Sequence, residues 1–124
     1  MILVDSSGWL EFFTGGPLAG AYASHLKNLR GIVTPTVVLY EVYKVIKRQG
    51  SEEEALAAVA QIGKSRLVPL SDTIALTAAD VSLTYQIAMA DAIVYATSLT
   101  EGAKLVTSDA DLATLPGVLY LKKP

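Results

Sequence analysis

The chain has no cysteine and a single histidine, His25. Without cysteine there is no disulfide, no zinc–thiolate centre and no thiol nucleophile, and nothing demands an oxidising compartment. One histidine, set among polar residues of a helical stretch, does not supply the acid–base pair of a ribonuclease that works through the substrate's 2′-hydroxyl. Long uncharged apolar runs are also missing, so no window approaches the ~18 residues of a membrane helix. The opening Met1-Ile2-Leu3-Val4-Asp5 lacks a basic segment and meets an acid at its fifth residue, unlike a secretory signal. A soluble, cytoplasmic protein with no membrane partner is expected. GxGxxG, P-loop and GxSxG patterns are absent.

Hydrophobic residues make up 52% of the 124 and charged ones only 18%, which argues for a filled core and against disorder. A chain of this length is expected to form one domain, residues 1–124, burying roughly two-thirds of its unfolded surface. The net charge of −2 looks wrong for a nucleic-acid binder. Setting aside four unusual acids turns the balance positive, so charge decides nothing here.

Apolar runs alternate with helical patterns almost throughout, which predicts an α/β fold on a parallel sheet. Strands are expected at Ile2–Asp5, Ile32–Val33, Arg66–Leu70, Lys104–Thr107 and Val118–Leu121. Between them the pattern predicts a helix from Ser6 or Ser7 to Phe13, broken by Gly15-Gly16-Pro17, and another over Leu18–Leu29. Thr34-Pro35 reads as a cap and first residue of a helix ending at Gln49, with Gly50 as its stop. Ser51 with Glu54 forms a capping-box pattern, Ser71 caps a helix to about Gln86, and a further helix follows Asp91 to Thr100. A short helix over Asp109–Leu115 is stopped by Pro116-Gly117.

Four acids stand where so apolar a chain would not ordinarily place them. Asp5 closes ILVD, Glu41 interrupts VVLYEVYKVI, Asp91 opens DAIVYATS and Asp109 follows KLVT. Each has an ordinary explanation. Asp5, Asp91 and Asp109 could be helix-start acids, and Glu41 could pair with Lys44. Val37, Glu41 and Val45 nevertheless share one helical row, which turns Glu41 toward the protein. Asp5 and Asp109 belong at carboxyl ends of strands, where open parallel sheets bind ligands. Four carboxylates gathered at one edge are held together most cheaply by a hard divalent cation, Mg²⁺ or Mn²⁺.

With those positions in hand the chain resembles PIN domains, and among them the small stand-alone VapC-type toxins. The resemblance rests on ILVDSSGWLEFF, TPTVVLYEVYKVI, DAIVYATSLTEGAKLVTSDADL and the closing GVLYL, in order over nearly the full length. It implies a three-layer α/β/α sandwich on a parallel sheet of order 3-2-1-4-5. It also implies a Mg²⁺- or Mn²⁺-dependent endoribonuclease that cleaves RNA with metal-activated water. Its acidic constellation falls on Asp5, Glu41, Asp91 and Asp109, as catalytic residues and metal ligands. Its supporting hydroxyls fall on Ser6 and Thr107, and Asp111 matches a position acidic in some members only. Leu112 departs from the aromatic common there. Such proteins are usually homodimers silenced by a cognate antitoxin protein.

Two other classes fit parts of the sequence. A phosphotransfer or phosphatase-type α/β domain also ends its first strand in Asp. The dehalogenase-like kind wants a second Asp where Ser7 stands, and a receiver-like domain wants an acid pair before Asp5. A non-catalytic binding module with a degenerate site is the remaining alternative, and measurable hydrolysis separates it from an enzyme.

Overall fold

A computed structural model describes residues 1–124. Five parallel strands form one sheet: β1 (Ile2–Val4), β2 (Ile32–Pro35), β3 (Arg66–Val68), β4 (Lys104–Thr107) and β5 (Leu119–Tyr120), in the order 3-2-1-4-5. β1 is central, pairing Leu3 with Val33 of β2 and with Leu105 of β4. Leu3, Val4, Val33, Leu105 and Val106 are completely or almost completely buried, as a strand covered on both faces requires. A receiver-like domain is wound 2-1-3-4-5, so the observed order removes that alternative.

Six helices connect the strands: α1 (Ser6–Thr14), α2 (Ala19–His25), α3 (Thr36–Gln49), α4 (Glu52–Ile62), α5 (Asp72–Tyr85) and α6 (Met89–Glu101). α1 packs on α2, α3 on α4 and α5 on α6. Right-handed crossovers put the helices of β1–β2–β3 on one face and those leading back to β4 on the other, giving three layers. The core stripe of α3 is Val38, Val42 and Ile46, at four-residue spacing. Ser51 and Ser71 cap α4 and α5, each accepting from the backbone N–H three residues on.

The differences from the expected elements have local causes. The helix over Leu18–Leu29 stops at His25 and is followed by a 3-10 turn, Leu29–Gly31. Extended Asn28 separates the two, and Leu26 at the end of α2 and Leu29 at the start of the turn both still meet the core. Thr34 and Pro35 do not open α3; they remain in β2, opposite Leu67 and Val68. The Thr34 hydroxyl spends its bond on Ser65, at 2.7 Å, instead of capping. α6 starts two residues before Asp91, and Asp109–Leu115 contracts to a 3-10 turn at Ala110–Leu112 with Asp109 as its cap. β3 and β5 are shorter than their apolar runs. No helix is long and apolar enough to cross a membrane.

Candidate metal centre

Asp5, Glu41, Asp91 and Asp109 line a single cleft of about 460 Å³ above the carboxyl ends of β1 and β4. Asp5 arrives as the residue after β1, Glu41 from the middle of α3, Asp91 from the first turn of α6, and Asp109 two residues beyond β4. This is the edge at which a parallel sheet leaves room for ligands.

Asp5 is 3% exposed and holds the cap position of α1, yet its side chain does not cap that helix. Its Oδ2 instead accepts from the Ser7 hydroxyl at 3.0 Å and the Thr107 hydroxyl at 2.8 Å, which leaves Oδ1 free of side-chain donors. Thr107 Oγ1 also accepts from the Asp109 N–H at 2.9 Å, so one hydroxyl ties two acids together. Ser7 Oγ accepts from the Ser108 N–H at 3.0 Å, and the Ser108 hydroxyl shares a 2.6 Å bond with Tyr22. Tyr22 can come this close only because residue 8 is glycine. A Cβ there would lie 2.3 Å from the Tyr22 ring.

Glu41 does not pair with Lys44, whose ammonium donates to the Tyr40 hydroxyl. The molecule's ion pairs, Lys47–Glu52 and Arg66–Glu101, involve none of the cleft acids. Burial pushes the Asp5 carboxyl above the usual range; the Thr107 and Ser7 hydroxyls pull it back, and the charge of Asp109 raises it further. Glu41 is raised by burial and then by the charge of Asp5, with a hydrogen bond from Ser6 opposing. Asp91 is pushed up to about 6, by burial first and then by Asp109, Asp5, Asp111 and Glu41. Carboxylates crowd here with no ion pair to any of them.

The donors fit a divalent cation. Asp91, Asp109 and exposed Asp111 offer carboxylate oxygens that all lie within 4.8 Å of one another, and Asp5 and Glu41 line the cleft together with the first two of these. The set is purely oxygen and lacks the sulfur and imidazole that zinc or copper prefer, which suits Mg²⁺ or Mn²⁺. Asp109 does keep one ordinary duty, since its Oδ1 accepts from the Asp111 N–H at 2.9 Å.

All seven residues picked from sequence lie in or beside this region, while half-buried His25 packs near the Tyr22 ring outside the cleft. Ser6 faces Glu41, and the hydroxyl that donates to Asp5 from this end of α1 is that of Ser7. Sequence reasoning missed Ser7, Ser108 and Tyr22, which no local pattern marks as partners. It also missed Glu11, 7% exposed, whose Oε1 accepts from the Leu18 N–H at 3.3 Å. Gly16 is the visible trace of that contact, because a Cβ there would fall 1.8 Å from Glu11 Oε2. Lys123 is the one basic side chain lining the cleft.

The sequence model of the PIN domain family matches residues 2–118. Comparison with curated proteins returns no match. Among solved structures, a toxin–antitoxin complex from Klebsiella pneumoniae superposes with TM-score 0.83 at 21% identity, covering 99% of this chain and 100% of that one. VapC20 from Mycobacterium tuberculosis, a toxin that cleaves the sarcin–ricin loop, gives 0.78 at 20%, covering 95% and 97%. VapBC2 from Rickettsia felis, bound to a DNA fragment from its promoter, gives 0.78 at 15%, covering 98% of each chain. At these identities the likeness establishes a shared fold.

Proposed function

The chain belongs to the PIN domain family, and from that premise we propose that it is a metal-dependent endoribonuclease, a single domain over residues 1–124 acting as the toxin of a toxin–antitoxin pair. The observation that carries this reading is the convergence of Asp5, Glu41, Asp91 and Asp109 on one cleft with no lysine or arginine paired to any of them.

Asp5, Asp91 and Asp109 would hold Mg²⁺ or Mn²⁺ directly, with Asp111 beside them and Glu41 completing the cage directly or through water. A bound ion of this kind supplies Lewis acidity toward the scissile phosphate and the attacking water. The chain's own residues fix the geometry. Thr107 and Ser7 lock the Asp5 carboxylate in one orientation, with its second oxygen turned free of them. Ser6 steadies Glu41, which faces the space where the attacking water would stand. No step calls on His25.

The partners follow the same reading. The solved relatives from Klebsiella pneumoniae and Rickettsia felis are toxin–antitoxin assemblies, which supports a cognate antitoxin as the silencing partner. A homodimer is supported by the unusually apolar outer face of α5 and α6, where Leu76, Leu83 and Met89 are each more than two-thirds exposed. The test is direct. Purified protein is incubated with labelled structured RNAs, a sarcin–ricin-loop hairpin among them, with Mn²⁺, with Mg²⁺ and with EDTA, and cuts are mapped. Cleavage confined to the metal-containing arms is expected; full cleavage after exhaustive chelation would overturn the metal mechanism.

A further inference from the structure

The acidic cleft does not end at its acids. Thr14 and Gln49 line it on one side and, on the other, line a larger hollow of about 700 Å³ between the C-terminal ends of α1 and α3 and the flank of α4. Those two residues are the border the two spaces share. Phe13, Ile46 and Ala58 give the hollow an apolar floor, and Phe13 is held rigid by stacking on Trp9, with ring centroids 5.7 Å apart. Gln49 and Gln61 stand in its wall with amides that make no hydrogen bond within the protein, and Glu54, the one charged residue of the lining, accepts from the Ser51 hydroxyl at 3.1 Å. Its volume lies within the range of small-ligand sites.

Charge and spacing point to an occupant. Glu41, Val45 and Gln49 form one row of α3, so the glutamine stands two turns, about 12 Å at 1.5 Å per residue, along the helix from the acid. Lys44 and Arg48 flank that row, exposed, and neither is in an ion pair with a carboxylate. A strand of nucleic acid whose scissile phosphate sits at the acids would pass its neighbouring phosphates along these cations. Its neighbouring base would meet an apolar floor and free amides. Single-stranded bases are recognised by that combination, apolar contact with the face and donor–acceptor groups at the edge. An amide, carrying both a donor and an acceptor, can distinguish bases where an apolar wall cannot.

We propose that the hollow is a binding subsite for one single-stranded RNA nucleotide flanking the scissile bond, and that Gln49 at its mouth selects the base. The proposal rests on the nuclease reading given above and names the part of the substrate that reading leaves open.

The experiment uses the full chain and a random-sequence RNA pool with Mn²⁺, sequencing the cut sites. Parent protein is expected to show a base preference at one position beside the cut. Gln49→Ala should flatten that preference about tenfold. Ala57→Trp, at an exposed position of the hollow, should fill it and raise KM more than it lowers kcat. His25→Ala should keep the parental profile. A second arm measures anisotropy of the same pool, fluorescently labelled, on Asp5→Asn protein with and without Ala57→Trp, where weaker binding by the filled variant is expected. If parent protein cuts nothing, the nuclease reading fails and this binding arm alone decides the subsite. Unchanged base preference in Gln49→Ala together with unchanged RNA binding in Ala57→Trp would overturn it. So would an Ala57→Trp variant that handles RNA normally but loses a co-expressed protein partner, because the hollow would then be a protein groove.

Discussion

The two walls of the cleft keep their acids by opposite means. On the sheet wall, Asp5 is buried and its Oδ2 takes two hydroxyl bonds, while Asp109 is tied to the same Thr107 through its backbone and caps a turn through its side chain. On the helix wall, Glu41 and Asp91 are half-buried with no ion pair, and Asp91 is pushed up to about 6. A buried carboxylate survives without a cation when the protein itself donates to it. The helix wall has no such donors beyond Ser6 and is left to be completed from outside. One wall holds its acid by the protein's own donors, and the other leaves its carboxylates largely without them.

Breaking the sheet wall should have the largest effect. Asp5→Asn is nearly isosteric and keeps the hydroxyl contacts but loses the charge. Cleavage, compared at equal folded fraction, should fall by more than the roughly 100-fold that loss of a supporting partner costs. A loss below tenfold would place Asp5 outside the chemistry and make the sheet wall merely structural.

Thr107→Val tests the sheet wall's stability. It removes a buried donor to Asp5 and the part-buried acceptor of the Asp109 N–H, and should cost about 2 kcal/mol in denaturant melts. Ser6→Ala, on the open wall, should cost under about 1 kcal/mol. Equal losses would erase the distinction between the walls.

The open wall should show itself through pH. The Asp91 carboxyl titrates near 6 when folded and near 3.8 when unfolded. Between those values the folded state binds more protons, so metal-free stability falls as pH rises through the window and the penalty is complete above about 6. Because the group is partly exposed, the penalty is set at about 1 kcal/mol after solvent screening. Asp91→Asn should remove that carboxyl's share of the slope, leaving the shares of the raised Asp5 and Glu41, and melt higher than the parent at pH 7 in EDTA. Saturating Mn²⁺ should reverse the order, since a ligand of the folded state stabilises in proportion to its affinity. A flat pH profile in the parent would mean that these acids do not share a pocket.

The smallest effect belongs to a residue on neither wall. His25→Ala should change stability by no more than about 0.5 kcal/mol and leave cleavage untouched. A loss equal to that of Asp5→Asn would reassign the site.

Sequence made the acids legible because each breaks a local rule. Asp5 and Asp109 follow apolar strands, and Glu41 sits in the inward row of a helix, so their anomaly is visible within a few residues. The strand order came from resemblance; alternation alone gives a parallel sheet without its winding. What stayed hidden is non-local. Ser7 looks like any residue of a helix's first turn until β4 brings Thr107 and Ser108 against it. Glu11 looks like a surface acid until the Gly16–Leu18 turn folds over it. Element ends were missed where a side chain preferred a distant partner, as Thr34 does with Ser65.

The Thr107 hydroxyl joins residues 5 and 109, which lie far apart along the chain. A ribosome therefore makes one half of the bridge 102 residues before the other. Until β4 is made, β1 is without the neighbour that completes its pairing, and the cleft lacks its Asp109 side. Late, non-local closure of this kind is slow and leaves a strand edge open to wrong partners meanwhile. A chain cut short before Lys104 is accordingly not a weaker version of the protein. It lacks Thr107 and Asp109 and leaves the β4 side of β1 unpaired, which makes it a candidate for aggregation or proteolysis.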